Sequence, residues 1–354
     1  MKQKRLFSMF IVALFAVAGV TTLARGASTD ELVAAAKKEG VLNFYFPGSL
    51  TAQGAKALSD AFKKKYGLNI KANYSPSGGI SRDVGMLISM AATGMAPEWD
   101  VMTIPDTFQG RLFGRKMQQP FDYAQIGVDP KAIHYKNHAV AIITAFALPA
   151  YNKKLVAAKD APKKWEDILD PKWKGKKIGQ SNLTHHYARL AVTAWGQERT
   201  KKFVEDLSKQ DLILGRVAEI YSRLELGEVQ IAATLTDTHI YRAKITGAPL
   251  VFAKGPSPTV GYFMQAAVLK GARHPNIGYL FISFLTTQEA QKILEQHTGH
   301  SLHLIPGTGA YNYVKNNKVV FMTDNDARTV GKLQREYGQI LGFKRRRRGK
   351  KDKK

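Results

Sequence analysis

No cysteine occurs anywhere in the 354 residues. That removes disulfides, thiolate metal ligands and a thiol nucleophile, and it leaves no cysteine to carry a lipid anchor behind an N-terminal leader. The GxSxG elbow, the HExxH pair and a phosphate loop ending in GKS or GKT are missing as well. Serine, histidine and aspartate are present, so a hydrolase would need an unrecognised geometry, and turnover of a ligand is what would reveal one. The apolar run from Leu6 to Val20 is too short for the roughly 20 residues of a spanning helix. Lys2, Lys4 and Arg5 precede it and small residues around Ala24 and Gly26 follow it, which is the order of a secretory leader. Cleavage is expected between Gly26 and Ala27, because a cut after Ala27 would place Arg25 where a small side chain is wanted; an uncleaved anchor is the alternative. The expected destination is the periplasm.

Acidic residues are scarce, 28 against 53 lysines and arginines, for a formal charge of +25. Residues 1–26 carry +4 of this and the run KRRRRGKKDKK (344–354) carries +8, leaving +13 for the body. Such an excess favours encounters with anions and anionic surfaces but does not specify a fold. The terminal run reads as a basic, disordered tail. A secreted chain does not meet the chromosome, so no nucleic-acid partner is expected, and weak adhesion to membrane phosphates fits the tail better.

From Asp30 onward helical and strand patterns alternate: an amphipathic helix to Gly40, a strand Val41–Phe46, a helix to Gly67, a strand Leu68–Tyr74, a helix near Ser81–Thr93 and a strand Trp99–Ile104. A second block of the same style runs from a strand at 176–180 through helices near His186–Gly196 and Thr200–Lys209, a strand Leu212–Leu214, a helix Val217–Gly227 and a strand Val229–Leu235. Alternation of this kind predicts an α/β fold with parallel pairing. About 317 residues lie between the leader and the tail, enough for two domains. Pro275 to Gln296 reads as two helices, and Asp324 to Leu341 as a closing amphipathic helix.

The most specific stretch is YNKKLVAAKDAPKKWEDILDPKWKGKKIG, Tyr151 to Gly179. Its order of Tyr-Asn, Pro162, a one-turn helix WEDIL, Asp170-Pro171, Trp173 and a basic loop resembles the interdomain segment of the family 1 extracellular solute-binding proteins, the periplasmic receptors of ABC importers. The bland reading is an ordinary connection with two tryptophans buried for packing, and the motif identifies a scaffold, not a ligand. The resemblance extends over about Thr29 to Phe343 and is strongest here and at FISFLTTQEAQKIL (Phe281 to Leu294). It implies a two-lobed type II periplasmic-binding-protein fold, each lobe a mixed, mostly parallel sheet flanked by helices. Lobe 1 would be 27–140 plus 262–323, lobe 2 would be 141–261, hinge crossovers would lie near 139–152 and 253–268, and a C-terminal helix would cover 324–343. It further implies a monomer that binds a small-molecule solute and hands it to an inner-membrane permease, with no catalysis and no cofactor.

In open parallel sheets ligands bind outside the carboxyl ends of the strands. Five loops qualify: Pro47 to Thr51, Ser75 to Gly79, Pro105 to Thr107, Ser181 to His185, and Thr236 to His239. Around Ser49, and around Ser77 with Gly78, a hydroxyl and a glycine precede a helix, so backbone N–H groups and the helix terminus can receive an oxyanion; ordinary capping by serine is the alternative. Asp106, Asn182, Thr236, Asp237 and His239 join them as candidate contacts. His185 and His186 stand together ahead of a helix, one ring able to face a cleft while the other packs, with His185 favoured as the contact.

The stretch LGEVQIAATL resembles the ferric-ion receptors of the same family, but Thr238 and His239 stand where those present adjacent tyrosines, judged by Tyr241 and Arg242. Threonine and histidine suit hard ferric iron poorly. His297, His300 and His303 recur at three-residue intervals, but Gly299 and Pro306 argue for a loop, no carboxylate lies between them, and surface or packing roles are expected instead of a metal site. The basic body and the glycine-serine loops favour a small anion such as a phosphonate, phosphorylated sugar or carboxylate. Asp106 and Asp237 favour an amine, so a zwitterion or polyamine competes, with iron as the remaining alternative.

Overall fold

The computed structural model describes residues 28–343. The expected leader with its Gly26–Ala27 cleavage point and the basic run 344–354 lie outside the described residues.

The first block folds as α1 (Thr29–Glu39), β1 (Val41–Phe46), α2 (Thr51–Tyr66), β2 (Lys71–Pro76), α3 (Ile80–Ala92), β3 (Val101–Pro105) and α4 (Asp106–Phe113). Ser28 and Glu31 form a capping box at the start of α1, and Gly40 ends it in the left-handed conformation. Strand β2 begins three residues later than its apolar pattern suggests. The C-terminus of α2 explains the delay: Leu68 N–H folds back to the Lys63 carbonyl at 2.9 Å, so the chain after Gly67 serves the helix cap before it can pair.

Next come β4 (Ile133–His134) and the 14-residue β5 (Ala139–Asn152), buried along its whole length. The second block is β6 (Ile178–Ser181), α5 (His185–Leu190), α6 (Gln197–Ser208), β7 (Ile213–Gly215), α7 (Val217–Leu226), β8 (Ile231–Thr236) and α8 (Asp237–Thr246). A single π-helical turn, Ala191–Trp195, extends α5. The chain returns through β9 (Leu250–Phe252) and β10 (Thr259–Val268), then adds α9 (Pro275–Leu285), α10 (Gln288–Thr298), α11 (Gly309–Asn316), β11 (Val319–Val320) and α12 (Ala327–Ile340).

The strands form one sheet in the order β2-β1-β3-β10-β5-β8-β6-β7. Its outer parts, β2-β1-β3 and β8-β6-β7, are parallel; the joints through β10 and β5 are antiparallel. The type II two-lobed architecture follows, since only β5 and β10 run through both halves. Their ladders slip at two places, Met264/Gln265 and Leu148/Ala150, the second across Pro149, which has no N–H to donate. These slips fall where the strands change partners.

Strand alternation places Leu42, Phe44 and Phe46 on one face of β1 and Tyr45 on the other. Phe44 and Phe62 close on Phe281 with ring centroids 5.0 and 5.2 Å away, so α9 returns from the far end of the chain to complete the first core. In the second half, the signature tryptophans pack with their N–H groups satisfied. Trp165 donates to the Pro258 carbonyl and Trp173 to the Asp167 carbonyl, both at 3.0 Å. The apolar face of α12 (Val330, Leu333, Tyr337) joins that core, and the helix touches α4 of the first half as well as α5 and α6 of the second. Contact with α4 is close because Gly110 has no side chain: a Cβ there would stand 2.7 Å from that of Ala327.

Phe281 is wholly buried among these rings. Phe281→Ala should cost about 3–5 kcal/mol of unfolding free energy; a loss below about 1 kcal/mol in urea titration would show that α9 is dispensable to the first core.

Candidate functional site

The carboxyl ends of β3, β6 and β8 converge, and a buried ion pair joins the first two. Asp106, the first residue of α4, faces Arg189 on α5; both are essentially inaccessible. Arg189 presents both Nη atoms to the carboxylate: Nη1 donates to Oδ2 at 3.0 Å and Nη2 contacts Oδ1. The same carboxylate accepts the backbone N–H of Thr107 at 2.7 Å and of Phe263 at 3.2 Å. A planar fork on a planar acceptor is the arrangement arginine provides and lysine cannot. Asp106 is therefore engaged by the protein itself.

Around Arg189 lie imidazoles that burial keeps neutral. Its Nε donates to His185 Nδ1 at 3.3 Å, and its guanidinium sits 5.4 Å from the Tyr262 ring centroid. His185 and His186 pack edge to face at 4.2 Å, and both contact Tyr262. Burial, helped by the Arg189 charge, pushes His186 down to about 3, and neither of its ring nitrogens has a partner in the structure. Burial likewise holds His185 well below the ordinary histidine value, with His186 and Arg189 adding to it. His239 is pushed down to about 4, mainly by burial and against the pull of Asp237; its Nδ1 meets Thr236 Oγ1 at 2.6 Å. Asp237 and Thr238, at the start of α8, both reach His300 Nε2, at 2.9 and 2.7 Å. This contact joins the start of α8 to the segment after α10, closing the polar centre from that side.

The serine-glycine loops form a second group on the first half. Ser77 and Gly78 are arranged around buried Asp83, which accepts Tyr45 Oη at 2.8 Å and the Gly79 N–H at 3.2 Å and pairs with Arg82 at 3.0 Å. Burial alone would raise the Asp83 carboxyl, but these donors outweigh it and hold it below its usual range. A side chain at Gly78 would run into the Arg82 guanidinium, so glycine is what lets that charge lie against the loop. Ser49, half-buried in a short 3-10 turn, adjoins this group: a Cβ on Gly48 would stand 3.5 Å from the Ser77 carbonyl.

The expected contacts thus fall into three places. Asp106, His185, Thr236, Asp237 and His239 belong to the polar centre; Ser49, Ser77 and Gly78 belong to the loop pair. Asn182 stands apart, in a small hollow against the C-terminal helix with Gln334 and Arg335, because Thr184 Oγ1 ties that loop to the Gln334 carbonyl at 2.8 Å. His297 packs beside Gly54, and His303 stacks on Phe321 at 5.0 Å. Among the described residues no group of three or more His, Asp or Glu side chains is arranged to hold a metal ion. Arg189 and Tyr262 carry much of the centre yet escape sequence reasoning, and His300, expected in a surface or packing role, joins them through Asp237 and Thr238. For Arg189 a signal existed: it stands four residues after His185, on the same helical face, flanked by apolar Ala188 and Leu190.

Comparison with known proteins adds context. A family model for bacterial extracellular solute-binding proteins matches residues 42–298. An uncharacterized protein of Haemophilus influenzae is 26% identical over 183 residues, 50% of this chain; the match spans 52% of that relative, about half its length. Among solved structures, iron-bound HitA from Pseudomonas aeruginosa superposes with a TM-score of 0.66 at 21% identity, covering 84% of this chain and 99% of HitA. The Atu4243-GABA receptor superposes at 0.68 with 15% identity, covering 87% and 99%. At these identities the structural matches establish the fold alone.

Removing one partner of the ion pair should be worse than removing both. Asp106→Ala should cost about 3–5 kcal/mol by stranding the guanidinium, whereas Asp106→Leu with Arg189→Met should recover most of it; equal losses in the two proteins, measured by urea unfolding, would contradict this. Acid should also weaken the fold. His186 and His239 bind protons less readily folded than unfolded, so their contribution is complete above the unfolded value near 6.5 and is lost as pH falls toward about 4 for His239 and about 3 for His186. The expected slope below pH 6.5 is at most about 1.4 kcal/mol per pH unit per histidine. His239→Gln should flatten it, and an unfolding midpoint that is unchanged between pH 7.5 and 5 would refute the assignment.

Proposed function

This chain belongs to the bacterial extracellular solute-binding proteins, and from that premise we propose that it is the periplasmic, monomeric receptor of an ABC importer for a small anionic solute. In this reading 27–140 with 262–323 forms one lobe and 141–261 the other. The solute is held between them and passed unchanged to a membrane permease. Strands β5 and β10 are the hinge, the slips at Pro149 and Met264/Gln265 supplying the give. A solute that touches both lobes favours the closed state. Moving the population from about 1:99 to 99:1 takes about 5.5 kcal/mol of differential affinity.

The observation that carries the anion reading is the capture of Asp106 by Arg189. An amine would need free carboxylates, but Asp106 is occupied and Asp237 is bonded to His300. The loop pair instead offers the hydroxyl of Ser49, the N-terminus of α3 and the exposed Arg82 guanidinium, which lies against Gly78 and shares its charge with Asp83. Neutral imidazoles in the centre can donate without adding charge that would fix the solute's valence. HitA is described bound to iron, but here Thr238 and His239 are bonded to His300 and Thr236. This weighs against iron held by a tyrosine pair.

Thermal melts of the purified protein should rise with phosphate, phosphonate, sugar phosphate or carboxylate, and X-ray scattering should show contraction with the same compound. Ser77→Trp should abolish the rise while the melt stays cooperative. Stabilisation by ferric citrate or by amines alone would overturn the anion assignment, and consumption of the ligand would make the protein an enzyme.

A further inference from the structure

Outside the cleft, α4 and α12 enclose a concavity of about 660 Å³ lined by four arginines: Arg111 from α4, Arg115 from the turn just after it, and Arg328 and Arg335 from α12. Arg328 and Arg335, i to i+7, share one face of α12, and Arg111 and Arg115 line the other side of the same groove, so cationic side chains stand on both of its walls. Among the described residues none of the four is ion-paired with an acid, and the hydrogen bond their side chains make is Arg115 Nη1 donating to the Arg111 carbonyl at 3.2 Å.

The floor of the groove is small. Gly114 would meet only backbone carbonyls with an added Cβ, and Gly331 would meet nothing within 4 Å. At Gly110 the helices are already in contact through Ala327, which keeps the two rows at a fixed separation. Room at the floor, guanidinium forks at the rim and no internal counter-charge together make a receptacle for oxyanions carrying several charges, because each fork can meet a pair of phosphate oxygens.

We propose that the α4/α12 groove is a second binding site, separate from the interlobe cleft, that takes the phosphate groups of a multivalent phosphate compound or of anionic lipid headgroups.

The test uses the full chain with inorganic pyrophosphate at low salt, and separately with vesicles of phosphatidylglycerol in phosphatidylcholine. Binding to at least one should be seen and should weaken with added salt. Arg328→Gln with Arg335→Gln should reduce it tenfold or more; Arg328→Lys with Arg335→Lys, which keeps charge but loses the fork, should reduce it less. Ser77→Trp should leave it unchanged. The four arginines are exposed, so the variants should melt cooperatively like the parent. Pyrophosphate binding lost in the glutamine variant supports the proposal and identifies a free phosphate compound; vesicle binding alone, lost in the same variant, supports it and identifies a headgroup. Absence of both, or binding indifferent to the arginines, overturns it.

Discussion

The contact between Arg189 and Asp106 sets the terms for the rest of the site. A guanidinium removed from water is tolerable only with its donors met, and here a carboxylate at the start of α4 meets both Nη atoms. That requirement fixes how the end of β3 sits against the end of β6. Tyr135 extends the arrangement by donating to the Asp106 carbonyl at 2.8 Å, and its own backbone N–H is held by Asp324 just ahead of α12. The closing helix is thus connected through hydrogen bonds, as well as apolar contact, to the centre of the molecule. Burial keeps His185 and His186 neutral, and the same buried positive charge adds to it.

Charge elsewhere is distributed with more structure than the composition suggests. An excess of +25 could be spread evenly over the surface. Instead, four arginines share one groove, while Arg82 lies against a loop glycine and Arg189 is sealed inside. The same side chain is thus used in two settings: exposed, at the groove rim and beside the loop glycine, and buried, as a fork whose partner must be present.

Much of the fold was legible because alternating patterns and glycine stops are local. Gly40, Gly67 and Gly227 end helices where the pattern stops, each at positive φ. Strand β1 appears with the bounds its apolar run suggests, whereas β2 starts late because a backbone cap, invisible in hydropathy, holds Leu68. The signature tryptophans mark the scaffold through packing against distant carbonyls, which only a resemblance could hint at. The candidate site was less legible. Loop positions could be guessed from strand ends, but which side chains meet depends on separations of 83 residues for Asp106 with Arg189 and 63 for Asp237 with His300. No local pattern encodes such pairings, so Asp106 read as a free carboxylate and Arg189 was not singled out.

The position of β10 between β3 and β5 has a consequence for biosynthesis. The strands β1, β2 and β3 are made early, yet the strand that covers the inner edge of β3 and the helix that seals Phe44 and Phe62 come from residues 259–285. Until that stretch has been synthesised, the first half keeps an open edge and an uncovered aromatic surface, and long-range pairing of this kind forms slowly. The order of the strands therefore leaves the first half without its covering strand and sealing helix until most of the polypeptide exists.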